Sequence, residues 1–447
     1  MKATYKILSL ILFILFHLHS YSQSGEKVVL NLRQACEMGI TNNVNVKNSG
    51  IEADKNQYKL KETKSKLYPQ LEGYSNFSYY YAIPKMVIPG EFFGKTGMIP
   101  VEVGTTFDWA SGFKATQILY NQSYFTSIKM VEKFSTLQKL DLQQRKEEVI
   151  YQVTQLYHLI QTTNRQVNEL NTSLKNNEKL LAIAKVQTDN GMMRKVDYSR
   201  VEVNNNNIQT QVDNLIQLSE QQLGMLKILI GIDASKLVQL SDSLATDIDI
   251  LQDASPDFTQ HSSLQYLDKQ IDISLLEKKM DKQLYLPSLS AFGQYYVEGQ
   301  RNKFDYFNSN IDNKYYTVGV VGISLNVPIF DGLEKKYKSK QKELEIKELR
   351  NIKENTTHLL TKDYNDAVRQ LELSKKLVAR QLENIKSAES TYQVSVDGYK
   401  QQVTPLTDVL MAESGLTEAR LSYYNAILQY NNATLDVKKA CGKLLNF

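Results

Sequence analysis

A chain of 447 residues with a net charge of only +4 carries no strong electrostatic pull toward nucleic acid or an acidic partner. It holds 20 Gly and 8 Pro but 27 Tyr and 15 Phe. That composition is short of helix breakers and rich in side chains suited to a half-apolar, half-wet surface such as a membrane interface. Cys36 and Cys441, one toward each end, define no disulfide framework, and His158, His261 and His358 lack metal-ligand spacing, so no metal or cofactor is expected.

Residues 1–22 read as a secretory signal peptide, with Lys2 and Lys6 before the apolar run Ile7 to Phe16 and a small-residue site at Ser20-Tyr21-Ser22. An uncleaved anchor is the alternative. No other apolar run is long enough to cross a bilayer as a helix, so membrane insertion must use strands.

The pattern then predicts a short helix from Leu32 to Gly39, a turn at Thr41-Asn42-Asn43 and a helix from Val46 to Lys66. Leu67-Tyr68-Pro69-Gln70-Leu71 leads into a strand at about 71–81. A long loop rich in Pro and Gly (83–105) follows, then an alternating strand at about 106–120, apolar at Phe107, Trp109 and Phe113. From Gln122 to Asn190 there is neither Gly nor Pro, and Val149, Val153, Leu156, Ile160, Leu170 and Leu174 recur at coiled-coil spacing. Gly191 marks a hairpin tip, and a returning helix runs from Asp197 to Ile230. Residues 231–262 read as a linker.

The order then repeats. A helix from Leu264 to Leu284 ends at Tyr285-Leu286-Pro287-Ser288-Leu289, about 218 positions after its counterpart. Strands follow at about 289–297 and 315–330, the second carrying Val321, Ile323 and Leu325 on one side. Leu333 to Asp397 again lacks Gly and Pro. A continuous helix there would be roughly 100 Å long at about 1.5 Å per residue. Its tip is expected near Gly398, answering Gly191, with a return from Leu406 to Ala440. The chain thus divides into a first structural repeat (23–230), the linker and a second repeat (263–447). Four membrane-type strands are too few to close a barrel, and open edges are excluded from lipid, so several chains must share one.

The duplicated Leu-Tyr-Pro-Gln-Leu and Tyr-Leu-Pro-Ser-Leu joints, Val327-Pro328-Ile329-Phe330-Asp331-Gly332, and Gly398-Tyr399 followed by Thr407-Asp408-Val409-Leu410-Met411-Ala412 resemble the TolC family of outer-membrane efflux proteins. The resemblance spans the mature chain. It implies an α+β fold in which three protomers share a membrane β-barrel continued into a periplasmic α-helical coiled-coil barrel. It also implies a passive exit duct for efflux or type I secretion, partnered by a periplasmic adaptor and an inner-membrane pump.

Position by position, the resemblance makes Asp197 and Tyr399 gate residues and Asp408 a member of a constricting acidic ring. Gly191 and Gly398 stand at the tips. Thr404 stands where the family has a gate arginine and Met411 where it has a second ring aspartate, so the family's usual ionic closure is absent. Each role has a plainer counterpart: Asp408 as a first-turn acid complementing the helix dipole, Asp197 as a helix cap, Tyr399 as a packing aromatic. Phe107, Trp109, Phe113, Val321, Ile323 and Leu325 are expected to face lipid. No nucleophile elbow, phosphate loop or acid–base pair is present, so no enzymatic activity is expected. The rival reading is a secreted coiled-coil scaffold or adhesin without a pore.

Overall fold

The computed structural model describes residues 27–242, 244, 257–308 and 315–445. The signal-peptide segment lies outside the described residues, as do 243 and 245–256 of the linker.

In chain order the elements are β1 (Lys27–Leu30), α1 (Leu32–Asn42), α2 (Val44–Ser65), β2 (Gln70–Tyr79), β3 (Lys85–Pro89), β4 (Met98–Glu102) and β5 (Phe107–Tyr120). The first long hairpin is α3 (Gln122–Asp189) and α4 (Lys195–Ile230), followed by β6 (Leu237–Leu240) and α5 (Ser262–Gln283). Then come β7 (Ser288–Arg301), β8 (Tyr316–Asn326) and the second long hairpin, α6 (Glu334–Lys400) and α7 (Leu406–Ala440). Among the described residues no helix is long and apolar enough to cross a membrane.

Two compact units result, and each draws on both halves of the sequence. One comprises, among the described residues, 27–51, 140–266 and 354–445. Its main core gathers Cys36, Val149, Val153, Tyr157, Ile160, Leu226 and Ile230 around a two-stranded parallel pair, β1 with β6. Tyr157 is 1 % exposed, and its hydroxyl donates to the Leu30 carbonyl (3.1 Å) and to Asp242 (3.2 Å). The buried phenol is thereby satisfied and ties β1 to the chain beyond β6. The linker region therefore contains a strand that local pattern hides, because four residues are too few to show alternation. Cys36 and Cys441 are both free thiols.

The other unit comprises Glu52–Lys139 and Leu267–Lys353 and holds a four-stranded antiparallel sheet in the order β2-β5-β7-β8. Helical segments pack through ion pairs such as Lys342–Glu277 (2.7 Å), Lys64–Glu132 (2.9 Å) and Lys278–Glu343 (3.1 Å). Two strand boundaries differ from expectation. β8 stops at Asn326, which pairs with Ser288, the first residue of β7; Pro328 lacks the donor to continue and has no partner strand beside it. β7 continues to Arg301 because Phe107 of β5 pairs it that far. The expected loop 83–105 contains a hairpin, β3 with β4, whose Pro89 and Pro100 are tolerated because a two-stranded ribbon has free edges.

Candidate functional site

Both hairpin tips in the first unit are closed by one backbone motif. At the first, Gly191 N donates to Thr188 O (3.0 Å) and Met192 N to Gln187 O (2.8 Å), with Gly191 at φ +70°. At the second, Gln402 N donates to Tyr399 O (3.0 Å) and Val403 N to Gly398 O (2.9 Å), with Gln402 at φ +62°. Each is a Schellman closure with a left-handed residue just past the helix. Gln402 is thus the counterpart of Gly191, and Gly398 that of Gln187, which corrects the pairing expected from sequence. Gly398 stays helical, and α6 runs on to Lys400. Its lack of a side chain matters for a different reason: a β-carbon there would collide with the Thr404 hydroxyl.

The spacing that separates Gly191 from Gln402 also separates Asp197 from Asp408, and each aspartate is the third residue of its returning helix. Their surroundings differ. Asp197 is clasped by Arg194 through Nε (2.8 Å) and Nη2 (3.2 Å), with Arg200 at 3.6 Å. This fork-like pair lies within its own turn. Asp408 is exposed and shares one side of α7 with Met411; the two line a hollow of about 400 Å³ with Ala388, Thr391 and Ser395 of α6. Lys400 is engaged by Asp397 (3.0 Å), whose carboxyl is held below the usual range by the Gln393 hydrogen bond and then by Lys400 itself. Arg194 and Lys400 are thus each paired with an aspartate of their own tip.

What joins the hairpins is mostly neutral. Leu406, 7 % exposed, packs with Ala184 and Val201, and Tyr399, Met193 and Leu410 flank them. The Tyr399 hydroxyl donates to Gln187 Oε1 (3.3 Å), and burial, with Asp197 nearby, pushes the phenol pKa up. Tyr399, Thr404, Asp197 and Gln187 line one groove of about 970 Å³. Deeper in the same groove, Glu413 is 7 % exposed and accepts from the Ser173 hydroxyl (2.7 Å); burial pushes its carboxyl pKa up, Ser173 opposing. Above it Arg420 (3.2 Å) and Tyr424 (3.0 Å) bind Glu169. Glu413 was not anticipated, although the signal was present: it interrupts the apolar stripe Leu406, Val409, Leu416 at helical spacing.

In the second unit, strand register puts Phe113, Val321, Ile323 and Leu325 on one face of the sheet, each more than half exposed within the chain. The opposite face carries the charged Glu72, Asp108, Lys114 and Glu298 together with Gln294, Tyr74, Phe292, Tyr296, Val318 and Val320. Phe107 and Trp109 share the apolar face but are partly covered. Phe107 stacks beside Phe77 (6.0 Å) and Phe304 (5.9 Å), and Trp109 sits against Tyr306 (5.5 Å), with its indole N–H donating to Ser75. Among the described residues the two outer strands, β2 and β8, each leave an edge unpaired.

Residues 277–443 match the family described as Outer membrane efflux protein. No curated protein sequence matches the chain. Among solved structures, the Campylobacter jejuni CmeC outer membrane channel is similar at TM-score 0.71 and 17 % identity, over 92 % of this chain and 86 % of that one. VceC from Vibrio cholerae is similar at TM-score 0.71 and 11 % identity (92 % and 96 % covered), and the open-state Neisseria gonorrhoeae MtrE channel at 0.70 and 14 % (92 % and 89 %). At such identities the likeness shows a shared fold.

Proposed function

We propose that the chain, whose residues 277–443 match the outer membrane efflux protein family and whose fold is that of outer membrane channels, is one protomer of a passive exit duct, assembled as a homotrimer in the outer membrane. The single observation that carries this is the sheet: Phe113, Val321, Ile323 and Leu325 on one face, the charged Glu72, Asp108, Lys114 and Glu298 on the other, and both edge strands unpaired among the described residues. Lipid tolerates no open edge, so β2 of one copy pairs with β8 of the next, and the polar face lines the lumen. The helical hairpins extend into the periplasm, where the tips form the gate through Asp197, Tyr399, Thr404, Gly191 and Gly398. Asp408, with Met411 one turn on, forms the constricting ring. A periplasmic adaptor parts the tips, and energy comes from an inner-membrane pump.

The test is reconstitution: the purified protein is an oligomer that needs detergent and conducts in planar bilayers. A water-soluble monomer without conductance would instead establish the secreted-scaffold reading.

A further inference from the structure

Residues 302–308, which follow β7, do not stand away from the sheet but fold down over its apolar face. Tyr306, 4 % exposed, donates its hydroxyl to the Gly299 carbonyl (2.9 Å) and lies over Trp109. Phe304 meets Phe77 edge-on (5.7 Å), and Phe307 reaches Trp109 (6.2 Å). Arg301, 8 % exposed, is held between the Tyr306 and Tyr315 rings (5.0 and 5.5 Å) and paired with Asp305 (2.8 Å). The charge inside this layer is therefore neutralised and covered by rings, while Phe304 and Phe307 stay 60 % and 81 % exposed on its outside. The layer lies at the end of the sheet where Tyr79, Phe107 and Arg301 meet, away from the strand ends that feed the helices.

We propose that this aromatic layer is a docking surface for the lipid headgroup boundary of the outer leaflet, and that it fixes how deep the sheet sits. The layer continues the uncovered apolar face of Phe113, Val321 and Ile323, so whatever wets that face also meets Phe304 and Phe307. Its chemistry is that of an interface rather than a bilayer interior: rings with polar tips, and the exposed, basic Lys303 beside Phe304 to meet anionic headgroups. Water alone leaves two phenylalanines uncovered. The proposal rests on the reading of the sheet as membrane-embedded.

Trp109 is the chain's only tryptophan, which supplies the probe. The full protein is placed in phosphatidylcholine vesicles brominated either near the glycerol or near the chain ends, and vesicle flotation first establishes that it has inserted. Shallow bromines are expected to remove more Trp109 emission than deep ones. A second probe, Trp109→Phe combined with Phe307→Trp, is expected to lose still more to the shallow bromines, since position 307 lies outside the layer. Failure to float sinks the membrane reading itself. Flotation with equal quenching, deep-dominant quenching or none overturns this proposal alone, the last outcome meaning that a second copy of the chain or water covers the layer.

Discussion

Glu413 is a buried carboxyl in the contact between the two long hairpins. It sits at a core position facing Ser173, with burial raising its carboxyl pKa above the ordinary value of 4.5. In the proposed gate the arrangement seen here is the closed one, and it binds the proton more tightly than an arrangement in which Glu413 meets water. Closure is at full strength below the ordinary glutamate pKa and weakens as pH rises through the raised value. Open probability in single-channel recordings should increase with pH on the tip side over that window. Glu413→Gln, which keeps the volume and the hydrogen bond, should flatten that dependence; an unchanged slope dismisses Glu413 as the titrating group. Tyr399→Phe removes the bond to Gln187 and should cost the closed contact about 1 kcal/mol, read as more frequent openings. Asp408→Ala should weaken block by multivalent cations, because a ring of carboxylates at a constriction concentrates them; undiminished block rules out the ring assignment.

At the scale of elements, the paired tips reveal an asymmetry. A left-handed glutamine costs about 1 kcal/mol relative to the glycine that serves the same closure in the first hairpin. Gln402→Gly should therefore raise thermal stability by about that much, and Gly191→Gln should lower it similarly, both measured by calorimetry in detergent. Sequence made the long helices and the four sheet strands legible because each persists long enough for its period to show. It hid β1, β6 and the β3–β4 hairpin, which are four or five residues long and depend on partners distant in sequence or on proline-tolerant edges. It also misassigned the second tip. Gly398 looks like a breaker, whereas its role is to make room for Thr404, and the break falls on a residue type with no turn signature. Of the candidate site, Asp197, Tyr399 and Thr404 do converge on one groove, but Asp408 and Met411 line another surface. The six residues expected to meet lipid share one face of the sheet, and only the fold of residues 302–308 could show that Trp109 lies beneath a second aromatic layer.

For the whole molecule, the proposed duct predicts cross-linking of β2 to β8 between copies. Cysteine pairs at the two edges, with Cys36 and Cys441 replaced by serine, should give a covalent trimer on oxidation, and a product limited to dimers would break the threefold reading. The order β2-β5-β7-β8 carries a consequence for that number. Four antiparallel strands make each chain begin and end on opposite strand directions, so joining β8 to the next copy's β2 keeps the alternation intact however many copies take part. Strand parity places no limit on stoichiometry. The bore can change only by whole chains, four strands at a time, and the choice of count must be made by the helices.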